Sequence, residues 1–202
     1  MTPEAAGGAR SRRGRPGYDQ ASVLRIATDV FNRRGYEGTS MDHLAKELHL
    51  SKSAIYHHVD SKEELLHHAL STSLDALTAM MDDVESSPGD SITRLRRVIE
   101  RSVEVLLEHL PSVTLLLRVH GNSPVEIEAL RRRRELDHRL ADMVRAAARD
   151  DAIRRDIDPA LVSRLLFGMV NSLTEWYRKD ESGDPSRIAG AIALIAFDGL
   201  AR

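Results

Sequence analysis

The chain has no cysteine, and only 4% of its residues are aromatic. The first absence removes a disulfide framework, a thiolate metal site and a cysteine nucleophile. The second means that any core is built mainly from Leu, Ile, Val, Ala and Met. No uninterrupted apolar run approaches the roughly 18 residues of a membrane span. The arginines near the N-terminus have no apolar segment behind them, so the start does not read as a secretion signal. A soluble protein of the reducing cytoplasm, without membrane association, is the expectation. Strand-like alternation of apolar and polar residues is missing too, which leaves an all-α fold. With no nucleophile motif and no glycine-rich phosphate loop, the sequence does not read as an enzyme. His57, His58, His67 and His68 lie close in sequence, but neighbouring histidines on a helix point about 100° apart and make no compact ligand set. Neither a metal nor a cofactor is expected.

What is present begins with charge. The net charge of −2 conceals an asymmetry: residues 1–62 carry ten Lys/Arg against seven Asp/Glu, and the rest carries nineteen against twenty-four. A basic first third on an acidic body suits a DNA-reading head on a body that does not bind DNA. The stretch from Gly35 to Leu66, GYEGTSMDHLAKELHLSKSAIYHHVDSKEELL, carries the reason. Thr39 and Ser40 precede the apolar pattern Met41, Leu44, Ala45 and Leu48, a short amphipathic helix with a hydroxyl cap. His49 and Leu50 connect it to a second short helix, capped by Ser51 and running from Lys52 to about His58. In that helix Ala54 and Ile55 are placed to face inward, while Lys52, Ser53, Tyr56, His57 and His58 point out. This is a helix-turn-helix whose second helix is rich in side chains that hydrogen-bond bases and phosphates.

Residues 1–18 form a Gly-, Pro- and Arg-rich arm expected to be disordered. Arg13 and Arg15, with Arg10 and Arg12, suit contact with DNA phosphates or the minor groove. Asp19 opens a helix striped by Val23, Ile26, Ala27, Val30 and Phe31, stopped at Gly35, and residues 19–62 form the DNA-binding unit. Ser61 and Glu64 make a capping box for a long helix that ends near Ser86 and links head to body. Residues 63–202 then read as a helical ligand-binding and dimerisation bundle, giving about nine helices in all. Pro111, Ser123-Pro124, Asp158-Pro159 and Asp184-Pro185 each start a helix. The last two helices, apolar around most of their circumference and carrying Gly168 and Gly190, predict a homodimer through a four-helix bundle.

These features resemble the TetR family of bacterial transcriptional regulators. The resemblance rests on Gly35 and Tyr36, Thr39, the L-A-K-E-L of Leu44 to Leu48, the S-K-S-A-I-Y-H-H of Ser51 to His58, and S-K-E-E-L from Ser61. It covers roughly the first third of the chain. It implies a three-helix DNA-binding head, a dimeric ligand-binding body, and repression at a palindromic double-stranded operator relieved by a small molecule. By position, Thr39 and the amides around Ser40 resemble phosphate contacts at a helix N-terminus. Lys52, Ser53, Ala54 and His57 resemble major-groove readers, flanked by Ser51 and His58, and Tyr56 and Lys62 resemble backbone contacts.

The segment Arg164 to Asp180, RLLFGMVNSLTEWYRKD, is similar to the penultimate helix of members that respond to acyl-CoA thioesters. The matching residues are Gly168, Asn171, Trp176, Tyr177 and Arg178; Lys179 stands where several relatives have Pro. A CoA thioester needs an apolar slot, for which Leu116, Leu117, Phe167, Val170 and Trp176 are candidates. It also needs cations for the CoA phosphates, for which Arg118 and Arg131 to Arg134 are candidates. The alternative is a regulator of an efflux pump that senses hydrophobic or cationic drugs; such a pocket wants aromatic walls and buried carboxylates, and the body has one Trp and few other aromatics.

Overall fold

The computed structural model describes residues 19–200; the N-terminal arm with Arg13 and Arg15 lies outside the described residues. Among these the regular structure is entirely helical: α1 Gln20–Arg34, α2 Met41–Leu48, α3 Lys52–Tyr56, α4 Lys62–Ser86, α5 Ser91–Glu108, α6 Leu110–Arg118, α7 Pro124–Arg149, α8 Pro159–Asn171, α9 Leu173–Trp176 and α10 Pro185–Phe197.

Side-chain caps fix most of the starts. The side chains of Asp19, Ser40, Ser51 and Ser61 each accept a backbone N–H of the helix that follows. Asp90, Ser123, Asp158 and Asp184 do the same for α5, α7, α8 and α10. Each such cap contributes about 1 kcal/mol. Proline follows the cap in α7, α8 and α10, where its missing N–H costs nothing. The turn between α2 and α3 is closed by His49 in the left-handed region (φ 52°), with Leu50 N–H bonding Ala45 O.

Two boundaries differ from expectation. α3 stops at Tyr56 rather than His58, because the amides of His57 and His58 bond carbonyls only three residues back, tightening the chain out of α-geometry. The penultimate helix breaks at Ser172, whose hydroxyl bonds Met169 O, and Tyr177 then turns extended.

The head core is Val23, Ala27, Val30, Phe31, Leu44, Leu48 and Ile55, all buried. Phe31 meets Tyr36 edge-on at 5.3 Å between ring centroids. In the body, α4 packs on α5, α6 and α7, α8 lies on α7, and α10 lies along α5. The two domains share one continuous apolar cluster, joined where α1 packs against α4 and α6. The broadly apolar α8 and α10 are not enclosed by their own chain. α10 buries only Ala189 and Ala193, while Leu165 (58% exposed) and Leu194 (54%) stand out from α8 and α10 beside Leu161 and Ile195.

Candidate functional site

At the tip of the head, α3 presents Lys52, Ser53, Tyr56 and His57 to solvent, with Ser51 exposed just before them. Ile55 is buried beneath, so it sets the rotation of the helix. Ala54 is half-buried, and so is His58, whose carbonyl accepts from Gln20 Nε2 at 3.2 Å. Ser51 Oγ accepts from Ala54 N–H and lies 3.0 Å from Ser53 Oγ. Lys52 Nζ is 3.4 Å from the Asp42 carboxylate, an exposed pair that contributes little and is easily given up to another acceptor. Ser40 is exposed; its Oγ accepts from His43 N–H, leaving its hydroxyl proton outward.

Thr39 and Lys62, placed on DNA phosphates by the resemblance, have their polar ends engaged inside the head. Thr39 is 2% exposed and its hydroxyl donates to Gly35 O at 2.7 Å. Lys62 Nζ donates to Tyr36 O at 3.0 Å and Thr39 O at 2.9 Å, and sits 4.1 Å from the Tyr36 ring centroid. The start of α4 is thereby tied to the loop between α1 and α2. Burial, then the nearby carboxylates Glu63, Glu37 and Glu126, push the Tyr36 phenol upward, so it stays neutral under the ammonium.

A second set of ties joins head to body. Asn32, near the end of α1, donates from Nδ2 to Pro111 O at 2.7 Å, and its carbonyl accepts from Arg118 at 2.9 Å. Pro111 and Arg118 are opposite ends of α6, so one residue of the head holds that helix at both ends. Next to it, the buried Glu126 carboxylate accepts the amides of His120, Gly121 and Asn122 at 3.1, 2.8 and 3.0 Å, pinning the α6–α7 connection. Sequence reasoning missed both features; an acidic residue three after Ser123 was the legible sign of the second.

The other face of α6 borders a small, partly open cavity of about 50 Å³ lined by α4 to α8. By the criterion of one water per roughly 10–15 Å³, that is room for a few water-sized groups. Leu116, Leu117, Phe167, Val170 and Asn171 line it, as the sequence suggested, together with Leu77, Leu106, Val113 and Leu136. Its polar members are Ser102, Arg133, Asp137 and Asn171. Burial pushes the Asp137 carboxyl upward, opposed by Arg133, His138 and Arg164. Ser102 is 1% exposed and its hydroxyl has no partner among the described residues, an arrangement that costs about 1–3 kcal/mol if it stays dry.

Four ligand candidates fall elsewhere. Arg118 faces the head, because its guanidinium is held by Asn32 O. Arg134 is exposed on α7, one residue round the helix from Arg133, which takes the wall position. Trp176 is 51% exposed, its indole N–H 3.3 Å from Ser172 Oγ, and it borders an open groove beside α10. Arg178 turns back on the carbonyls of Tyr177 and Glu175. The break at Ser172 explains the last two: it carries everything after it away from the cavity. Among the described residues no three His, Asp or Glu side chains converge as a metal site, and no helix is long and apolar enough to cross a membrane.

A two-helix reader braced by α1, on a helical body with its own cavity, is the layout of a ligand-binding transcriptional regulator. Residues 23–69 match the model for bacterial regulatory proteins of the tetR family, and residues 88–200 match the tetracyclin repressor-like C-terminal domain. The chain belongs to the TetR family of DNA-binding transcriptional regulators. It is similar to SCO3833, a family member from Streptomyces coelicolor A3, at 46% identity and a TM-score of 0.84, covering 89% of this chain and 91% of that one. The HTH-type transcriptional repressor KstR2 of Rhodococcus jostii (strain RHA1) is 27% identical over 205 residues, 100% of this chain and 98% of the relative. AibR, solved with isovaleryl coenzyme A and operator DNA, shares the fold at 23% identity and a TM-score of 0.75, over 88% of this chain and 97% of that chain.

Proposed function

We propose that the protein is a cytoplasmic homodimeric repressor that binds a palindromic operator and is released by an acyl-CoA or aryl-CoA thioester. The observation that carries this reading is the small apolar cavity on one face of α6, whose two ends are held by Asn32 of the head. A cavity of about 50 Å³ has no room for a nucleotide, so the CoA phosphates would stay outside with exposed arginines of α7 such as Arg134. KstR2 is named a repressor and AibR was solved with a CoA thioester and operator DNA, which supports the same class for this chain.

On DNA, residues 19–62 would act as the reading unit. Lys52, Ser53 and His57 would face base edges, with Ala54 near a thymine methyl, and Ser40, Ser51 and Tyr56 would hold phosphates. Two heads in successive major grooves would sit about 34–36 Å apart, and the exposed apolar faces of α8 and α10 would meet their counterparts in the partner. The efflux-regulator reading finds one supporting observation, the half-buried Asp137 in the cavity wall. Arg133 on the same wall offsets its charge, and Phe167 is the one aromatic lining it, which weakens the case for a cation.

The test selects bound sequences from a random DNA pool with the full chain, then measures release from the selected site by mobility shift. Acyl- and aryl-CoA thioesters of increasing length are compared with free CoA. Release by a thioester and not by CoA is expected. No release by any thioester, with tight DNA binding intact, refutes the effector class.

A further inference from the structure

Three buried polar atoms lack a hydrogen-bond partner among the described residues: Asn32 Oδ1, Ser91 Oγ and Ser102 Oγ. Asn32 lies at the head–body seam, and Ser91 borders an open cleft with Arg94 and Arg139. Of the three, only Ser102 lines the apolar cavity between α4 and α8. The contrast with other hydroxyls inside helices is instructive. Thr28, Thr72, Thr78 and Thr114 each donate to the carbonyl four residues back, and Ser73 to the one three back. A serine in the middle of α5 has the same option. Ser102 does not use it, so its hydroxyl remains available.

Asp137 stands on the α7 side of the same cavity. Its carboxylate lines the same cavity, is half-buried, and forms no ion pair within 4.0 Å among the described residues, although Arg133 stands one turn before it. Arg139, two residues on, shows the alternative: it pairs with both Asp82 and Glu85 on the outer face. An apolar slot for a saturated chain has no use for a free hydroxyl and a free carboxylate in its wall.

We propose that this cavity recognises a hydroxyl group on the apolar part of the effector, through Ser102 and Asp137. The proposal rests on the thioester reading above and narrows it to hydroxylated acyl or alicyclic thioesters. A hydroxyl both donates and accepts: its proton goes to the Asp137 carboxylate, and its oxygen accepts from Ser102 Oγ–H or the Arg133 guanidinium. A keto group offers no proton to Asp137, and an ammonium would face Arg133. A ligand hydroxyl supplies a partner to both groups, whereas a methylene leaves the carboxylate and the serine hydroxyl without one.

The experiment is titration calorimetry on the full chain with matched pairs of CoA thioesters, 3-hydroxyacyl against saturated acyl, at four, six, eight and ten carbons. One hydrogen bond to a charged group corresponds to about a tenfold preference or more, so the hydroxy form of the best-fitting length should bind at least about tenfold tighter. In Asp137→Asn and in Ser102→Ala that ratio should fall towards one. Both substitutions are close in size to the native side chain, and thermal unfolding confirms that each variant folds. Equal affinity for the two members of every pair overturns the hydroxyl proposal and leaves the thioester reading standing. Binding of neither member at any length overturns both. A preference in the native protein that survives both substitutions overturns the assignment to Ser102 and Asp137.

Discussion

Lys62 separates two roles that a lysine at the entrance of α4 can have. Its ammonium donates to Tyr36 O and Thr39 O at 3.0 and 2.9 Å and lies 4.1 Å from the Tyr36 ring. Each hydrogen bond from a charged donor contributes about 1.5–3 kcal/mol, and the ring contact about 0.5–1 kcal/mol. The lower ends sum to about 3.5 kcal/mol, and because the site is half-exposed and Tyr36 O keeps the Thr39 amide at 3.1 Å, solvent screening and that remaining bond discount this to about 2–3 kcal/mol. Lys62→Met keeps the aliphatic stem and removes only the ammonium. At roughly 2–4 °C per kcal/mol for a chain of this size, its melting temperature should fall by about 4–12 °C. DNA affinity, measured by mobility shift across a salt series, should fall with an unchanged slope of log affinity against log salt, because the loss is in the shape of the head. A lysine whose main work is on a phosphate behaves oppositely: removing it lowers that slope by about one and leaves melting alone. Unchanged melting with a reduced slope refutes the reasoning.

Glu126→Ala leaves three amides at the α6–α7 connection without their acceptor, and should cost about 3 kcal/mol or more, read as a fall of about 6–12 °C in thermal unfolding. Burial raises the Asp137 carboxyl above its unfolded value, so the native state holds its proton to higher pH than the unfolded chain does. Its contribution therefore makes the fold less stable as pH rises through the native value; Asp137→Asn should melt higher than the native protein at pH 7, with the gain shrinking on acidification towards pH 4 in calorimetric scans. Leu165→Glu with Leu194→Glu, on faces that are exposed within one chain, should leave melting of the protomer almost unchanged but shift light-scattering mass from dimer to monomer. A dimer surviving both charges would put the interface elsewhere.

The sequence exposed some parts of the architecture more clearly than others, for physical reasons. Caps and stops are local: Asp19, Ser40, Ser51, Ser61 and the three Asp/Ser-Pro pairs act within one turn, and the helix starts follow from them directly. The apolar faces of α6 and α8 are legible from spacing, and with them Leu116, Leu117, Phe167 and Val170, while Asn171 comes from the family resemblance. What spacing does not carry is rotation of one helix against another. Arg118 and Arg133 are both cations beside apolar stripes, yet one turns to Asn32 and the other to the cavity. Trp176 lies beyond a break at Ser172 in what periodicity treats as one continuous helix. Ser102 could have been noticed, since it sits on the apolar stripe of α5, three residues after Ile99 and four before Leu106.

The position of α6 has a consequence for measurement. With the cavity on one side and Asn32 of the head at both ends, the helix is the shared boundary of two compartments. Any occupant that displaces it must do so against the head, and any restraint on the head must resist that occupant. For any ligand of this cavity, the factor by which it changes DNA affinity equals the factor by which DNA changes its affinity. Titrating ligand into the protein alone and into its DNA complex gives two affinities whose ratio is the whole strength of the switch, obtained without observing a single released strand.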